Sequence, residues 1–177
     1  LFIKKSLSEY ILPQKIKSCE NNFNDSIFLS RLEDANEIWL AASWKEWALP
    51  MIPESIENYK KLSPNANIKV FGRKNFGRRN ANEFINSINL GTKALLSTKP
   101  LEEDHITINE LMKEMINEEE FIDVSWLICN SKTECSNATL DGLPISYDGA
   151  HLTQAGAKYF GDKLAEKKYF QSLMKKL

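Results

Sequence analysis

The sequence predicts an α/β fold: a mostly parallel sheet in a three-layer sandwich, within one domain spanning residues 1–177. Three short apolar runs, Ile38–Ala42, Ile68–Phe71 and Phe121–Val124, are bounded by charged or turn residues. That is the pattern of strands buried on both faces. Stretches with helical periodicity lie between them, and strands that alternate with helices pair in parallel through crossover connections. A chain of 177 residues suits one sizeable core.

Taken in order, residues 1–16 carry apolar side chains at loosely helical spacing and are interrupted at Pro13, as at the tail of an upstream helix. Asn21–Asn24 reads as a polar loop. Ile27–Leu32 fits a short helix that Asp25 or Ser26 can cap. The first apolar run then ends in Ser43-Trp44-Lys45-Glu46-Trp47, at the position where a buried strand emerges from its sheet. Ligands of open α/β sheets bind at such strand ends. Pro53–Leu62 reads as a helix with proline in its first turn, and Pro64–Asn67 as a turn before the second run. The loop 72–79 has glycines and several cations, but its spacing matches neither the Walker nor the dinucleotide fingerprint. It reads as a solvated loop on the active-site side.

Further on, residues 81–90 and Ile108–Ile116 read as helices, and Glu118-Glu119-Glu120 as a solvated acidic face. Thr153 is placed to cap a last helix in which Phe160 and Leu164 mark the core side, with Leu152 and Ala157 spaced as a hydrophobic staple.

Composition excludes several classes of function. Apolar residues make up 42% and charged residues 27%, ordinary for a soluble globular domain. A net charge of −1 gives no electrostatic case for nucleic acid or an anionic membrane surface. No apolar run approaches the ~20 residues of a membrane span.

Of three cysteines, Cys129 and Cys135 flank the polar segment Asn130–Glu134. A disulfide closing so short a loop is worth about 2–3 kcal/mol by chain entropy and belongs to an oxidising compartment. Two reduced, inert thiols are the plainer alternative. Zinc is a poor fit, because paired ligands usually sit two to four residues apart and need two more. Cys19 has no local partner; it pairs upstream of Leu1 or stays free.

The chemistry-bearing stretch is Tyr147-Asp148-Gly149-Ala150-His151-Leu152-Thr153. It puts a carboxylate and an imidazole three residues apart, ahead of the last helix. A hydroxyl nucleophile needs a base that is largely neutral near pH 7, and histidine provides it. The base needs a carboxylate to fix its tautomer and stabilise the imidazolium, which is the role open to Asp148. The other histidine, His105, sits among acidic residues without such an arrangement. An isolated Asp-x-x-His is most often a turn aspartate and a surface histidine, so the surrounding order of residues matters.

That order is Cys129, Cys135, Gly142-Leu143-Pro144-Ile145, Tyr147-Asp148, His151-Leu152-Thr153, Gly156-Ala157. It resembles the last block of the SGNH (GDSL-type) hydrolase and acyltransferase superfamily, most closely the SGNH domains associated with membrane acyltransferases of family 3. Upstream, Glu37–Trp44 is similar to the family's apolar strand ending in a small residue and tryptophan, and Ile68–Gly72 to its next strand. The likeness covers roughly residues 36–165.

The resemblance implies an SGNH-like sandwich that lacks its first strand here, since no Gly-Asp-Ser block is present. Asn24-Asp25-Ser26 imitates it, but about a dozen residues separate Ser26 from Trp39, too few for a nucleophile strand and its following helix. Ser26 is therefore rejected, and the nucleophile is expected upstream of Leu1. The implied activity is O-acetyl transfer to a hydroxyl of a bacterial surface polysaccharide, with Asp148 and His151 catalytic and no cofactor or metal. Where the wider superfamily has an oxyanion-hole asparagine, this chain has Ala42-Ser43-Trp44. That leaves Ser43 as a replacement donor. Trp44 and Trp47 form either a sugar-stacking wall or part of the core.

The implied partners are a polysaccharide acceptor, an acetyl donor and a membrane acyltransferase domain on the same chain, and the implied location is extracytoplasmic, at the periplasmic face. A carbohydrate esterase, or a non-catalytic glycan- or partner-binding module, is the alternative.

Overall fold

The computed structural model of the chain describes residues 13–74, 103–129, 135–136, 138–148 and 151–175. The predicted helix at 81–90, most of the 72–79 loop and the His105 side chain lie outside the described residues. Among those described, the architecture is α/β, with a three-stranded parallel sheet. Its strands are β1 (Glu37–Leu40), β2 (Asn67–Phe71) and β3 (Phe121–Ile122), in spatial order β1-β2-β3. The helices are α1 (Pro13–Phe23), α2 (Ser26–Glu33), α3 (Ile52–Leu62), α4 (Glu103–Met115), α5 (Gln154–Ala165) and α6 (Lys168–Met174). None of the described helices is long and apolar enough to cross a membrane.

Contacts divide the chain into two compact units, Leu1–Phe71 with Glu110–Ile122, and Gly72–Asn109 with Asp123–Leu177. The first holds the sheet. Ile38 pairs with Ile68 and Leu40 with Val70 in register, and Ile38, Ile68 and Val70 are buried. Val70 has no exposed surface, and complete burial of such a side chain contributes about 1.5–3 kcal/mol. Ile52, Ile56 and Tyr59 give α3 its buried face, and burial raises the Tyr59 pKa. Ser63, at the C-cap of α3, donates its hydroxyl to the Leu32 carbonyl at the end of α2.

Two readings of the sequence are corrected in this unit. Asn21 to Phe23 belong to α1 and are not loop. Phe23 packs edge-on against Phe28 and Tyr59, with ring centroids 5.6 and 6.2 Å apart, so a tertiary contact overrides the weak helix propensity of asparagine. Nor is Glu120 simply solvated. It meets Lys60 at 2.9 Å, and this hydrogen bond is the chief cause of a raised Lys60 pKa.

The second unit contains the third strand's continuation. Only Phe121 and Ile122 are strand; Val124–Leu127 is a 3-10 turn, because Asp123 accepts from Ser125 N–H at 3.0 Å and caps it. Asn109, 6% exposed on α4, organises the neighbouring backbone. Its Oδ1 accepts from Arg73 N–H at 2.7 Å, and its amide donates to the Arg73 carbonyl at 3.0 Å and to Asp123 at 3.3 Å. One buried amide thus ties the residue two beyond β2 to the residue just beyond β3.

Candidate active site

The second unit also carries the Asp148–His151 stretch, and its geometry begins with the cysteines. Cys129 and Cys135 form a disulfide and an antiparallel bridge, closing the polar segment between them. Cys19 is a free, exposed thiol on α1. Thiol titration of unreduced, denatured protein is expected to find one reactive cysteine. Finding three would remove the bridge. Reduction should cost about 2–3 kcal/mol of stability by loop-closure entropy.

Beyond the disulfide the chain runs as a ladder of short bridges. Ala138 pairs with Pro144 across a turn in which Gly142 has φ 81°, a conformation that suits glycine. Ile145 is fully buried and anchors the segment. Ser146 then pairs with Leu152, and its hydroxyl donates to the His151 carbonyl at 2.7 Å. The Ser146–Leu152 bridge thereby closes a loop that carries Tyr147, Asp148 and His151.

Within that loop Asp148 takes His151 at two points. The His151 backbone N–H donates to Oδ1 at 2.7 Å, and Nδ1 lies 2.6 Å from Oδ2. A carboxylate only accepts, so Nδ1 carries the proton in this contact, and in the neutral ring Nε2 keeps its lone pair. This is the tautomer a general base requires. The side chains are 71% exposed for His151 and 40% for Asp148, so the pair is held by local hydrogen bonds more than by packing. Tyr147, given no role in the reading of the sequence, lies with its ring nearly parallel to the imidazole. An aromatic residue directly before the aspartate was the available signal.

The other end of the loop is fixed by α5. Thr153 accepts from Gly156 N–H at 2.9 Å as an N-cap and donates to the Pro144 carbonyl at 2.5 Å. Gly156 is buried and packs directly on the Ile145 backbone. Lys167 sits 3.8 Å over the Trp126 ring, joining the end of α5 to the 3-10 turn.

Ser43 and Trp44 belong to the first unit, just past the C-terminal end of β1. Ser43 is exposed. Trp44 is 4% exposed, and its indole N–H donates to the Phe71 carbonyl at 2.7 Å. Little of it is open for stacking on a sugar, so the core alternative describes it. Its remaining surface joins Trp39, Leu40 and Tyr59 in lining a cleft of about 220 Å³. Trp47 is 36% exposed.

A family model described as the SGNH domain fused to AT3 domains matches residues 6–166. No curated protein and no solved structure matches the chain. With most of its length matched, the chain belongs to the family of SGNH domains found fused to AT3 domains, an acyltransferase and esterase type of module.

Proposed function

We propose that this domain transfers an acetyl group to a hydroxyl of a bacterial cell-surface polysaccharide through an acyl-serine intermediate. The observation that carries the proposal is the Asp148–His151 pair, with Nδ1 committed to the carboxylate and Nε2 left to accept a proton. The family's fusion to AT3 domains supports transfer in partnership with a membrane acyltransferase. On this reading the nucleophilic serine attacks the donor's acyl carbon, and Nε2 takes its proton. The proton passes to the leaving group, and an acyl-enzyme remains. A sugar hydroxyl then attacks the ester carbonyl, Nε2 takes the hydroxyl proton and returns it to the serine, and the acetylated sugar leaves. Asp148 stabilises the imidazolium in both halves. The site of action is extracytoplasmic, at the periplasmic face.

Hydrolysis uses the same steps with water in place of the sugar, and the 71% exposure of the His151 side chain is the observation that favours it. The deciding experiment incubates the full-length protein with a small acetyl ester and an oligosaccharide acceptor, and analyses products by mass spectrometry. Acetylated oligosaccharide in excess of free acetate is expected. Acetate alone makes the domain an esterase. No turnover, with retained glycan binding, makes it a binding module.

A further inference from the structure

We infer that Tyr147 is a positioning residue for His151, holding the imidazole in the plane from which Nε2 works; this rests on the reading of His151 as the base. The Tyr147 and His151 rings are 5.9 Å apart at their centroids and 11° from parallel. The arrangement follows from how the loop is closed. Ser146 pairs with Leu152 and its hydroxyl binds the His151 carbonyl, so Tyr147 and His151 stand as the first residues inside the clamp on either strand. Their side chains therefore meet across it.

The loop needs such a contact. With 71% of the His151 side chain in solvent, no core packing restrains the ring, and an exposed His–Asp pair contributes only ~0.2–1 kcal/mol. Torsion about the ring bond of histidine is broad and poorly restrained by the backbone. One hydrogen bond from Nδ1 leaves the imidazole free to swing about the bond axis. A near-parallel aromatic ring limits that freedom, because rotating the imidazole out of plane gives up the stacking between the two rings. The tyrosine face also attracts the positive charge that His151 acquires when it takes the nucleophile's proton. The phenol hydroxyl has no part in this, so phenylalanine should serve as well.

Two measurements on the full-length protein test the inference. In steady-state hydrolysis of a small acetyl ester, Tyr147→Leu is expected to lower kcat about tenfold with KM unchanged, and Tyr147→Phe to restore it. A rise in KM at constant kcat would make Tyr147 a substrate contact, and unchanged kinetics in Tyr147→Leu would show that the ring does nothing for the base. The second measurement needs no activity. In ¹⁵N-labelled protein the His151 ring should populate a single tautomer, protonated at Nδ1. Tyr147→Leu should mix the tautomers and shift the His151 carbon-bound ring protons, while Tyr147→Phe leaves both as in the parent. Identical His151 spectra in parent and Tyr147→Leu would overturn the inference. If the parent protein is inert but the spectra behave as expected, the catalytic reading fails while the positioning contact stands.

Discussion

Replacing His151 with alanine is expected to lower turnover of an acetyl ester by the full-length protein about 10⁴-fold or more. The expected loss is large because both halves of the reaction route their proton through Nε2, and neither the serine nor the sugar hydroxyl is acidic enough to react without it. Asp148→Asn should cost somewhat less, since the imidazole survives but the carboxylate that selects its tautomer is gone. The double variant should be no slower than His151→Ala alone, because Asp148 acts only through the ring it holds. Stability should barely move. The His151 side chain is largely in solvent and Asp148 is partly exposed, and exposed substitutions usually stay within about 0.5 kcal/mol. The loss is therefore readable as chemistry by comparing melting curves with rates. Near-parent activity in folded His151→Ala would sink the base assignment. Multiplicative losses in the double variant would separate Asp148 from His151. Turnover by the 177-residue chain itself, abolished by replacing Ser26 or Ser43, would place the nucleophile inside the chain.

How much of this was legible before the structure depends on the reach of each interaction. The strands were readable because burial on both faces demands short, continuous apolar runs; β1 and β2 fall within a residue or two of where those runs put them. Asp25 and Thr153 were readable as caps because a cap bonds only to the next turn. The pairing of Asp148 with His151 spans three residues, so spacing alone brings the groups into reach. Longer contacts left no local trace. Nothing around Asn21–Phe23 announces that Phe23 will meet Tyr59, and propensity alone made that stretch a loop. The third strand was drawn too long because Val124 is apolar and buried, although Asp123 has already turned the chain. Nothing in the sequence singled out Asn109. Its partners lie 36 and 14 residues away, and its role emerges only once they are brought together.

The second large effect is expected at Gly156. A Cβ added there would lie 2.0 Å from the Ile145 carbonyl oxygen and 2.7 Å from its carbon. Real contacts of this kind do not occur, and the obstacle is backbone, which has no rotamer to change. Gly156→Ala must therefore push α5 away from the 145 segment. That motion stretches the bonds from Thr153 to the Pro144 and Ile145 carbonyls, which set the entry to the 147–151 loop. A destabilisation of about 3 kcal/mol is expected, at the upper end for overpacking, or roughly 6–12 °C in Tm for a chain of this size. Because the loop is anchored at Ile145, the displaced state should also disturb the Asp148–His151 contact and lower activity below what unfolding accounts for. Gly161 supplies the control on the same helix. A Cβ there meets nothing within 4 Å, so Gly161→Ala should stabilise by about 0.5–1 kcal/mol through helix propensity alone. The two substitutions are chemically identical and five residues apart on one helix, yet opposite in expected sign. Equal changes in Tm for both would mean that helix propensity decides at Gly156, and that α5 does not pack on the Ile145 backbone as described.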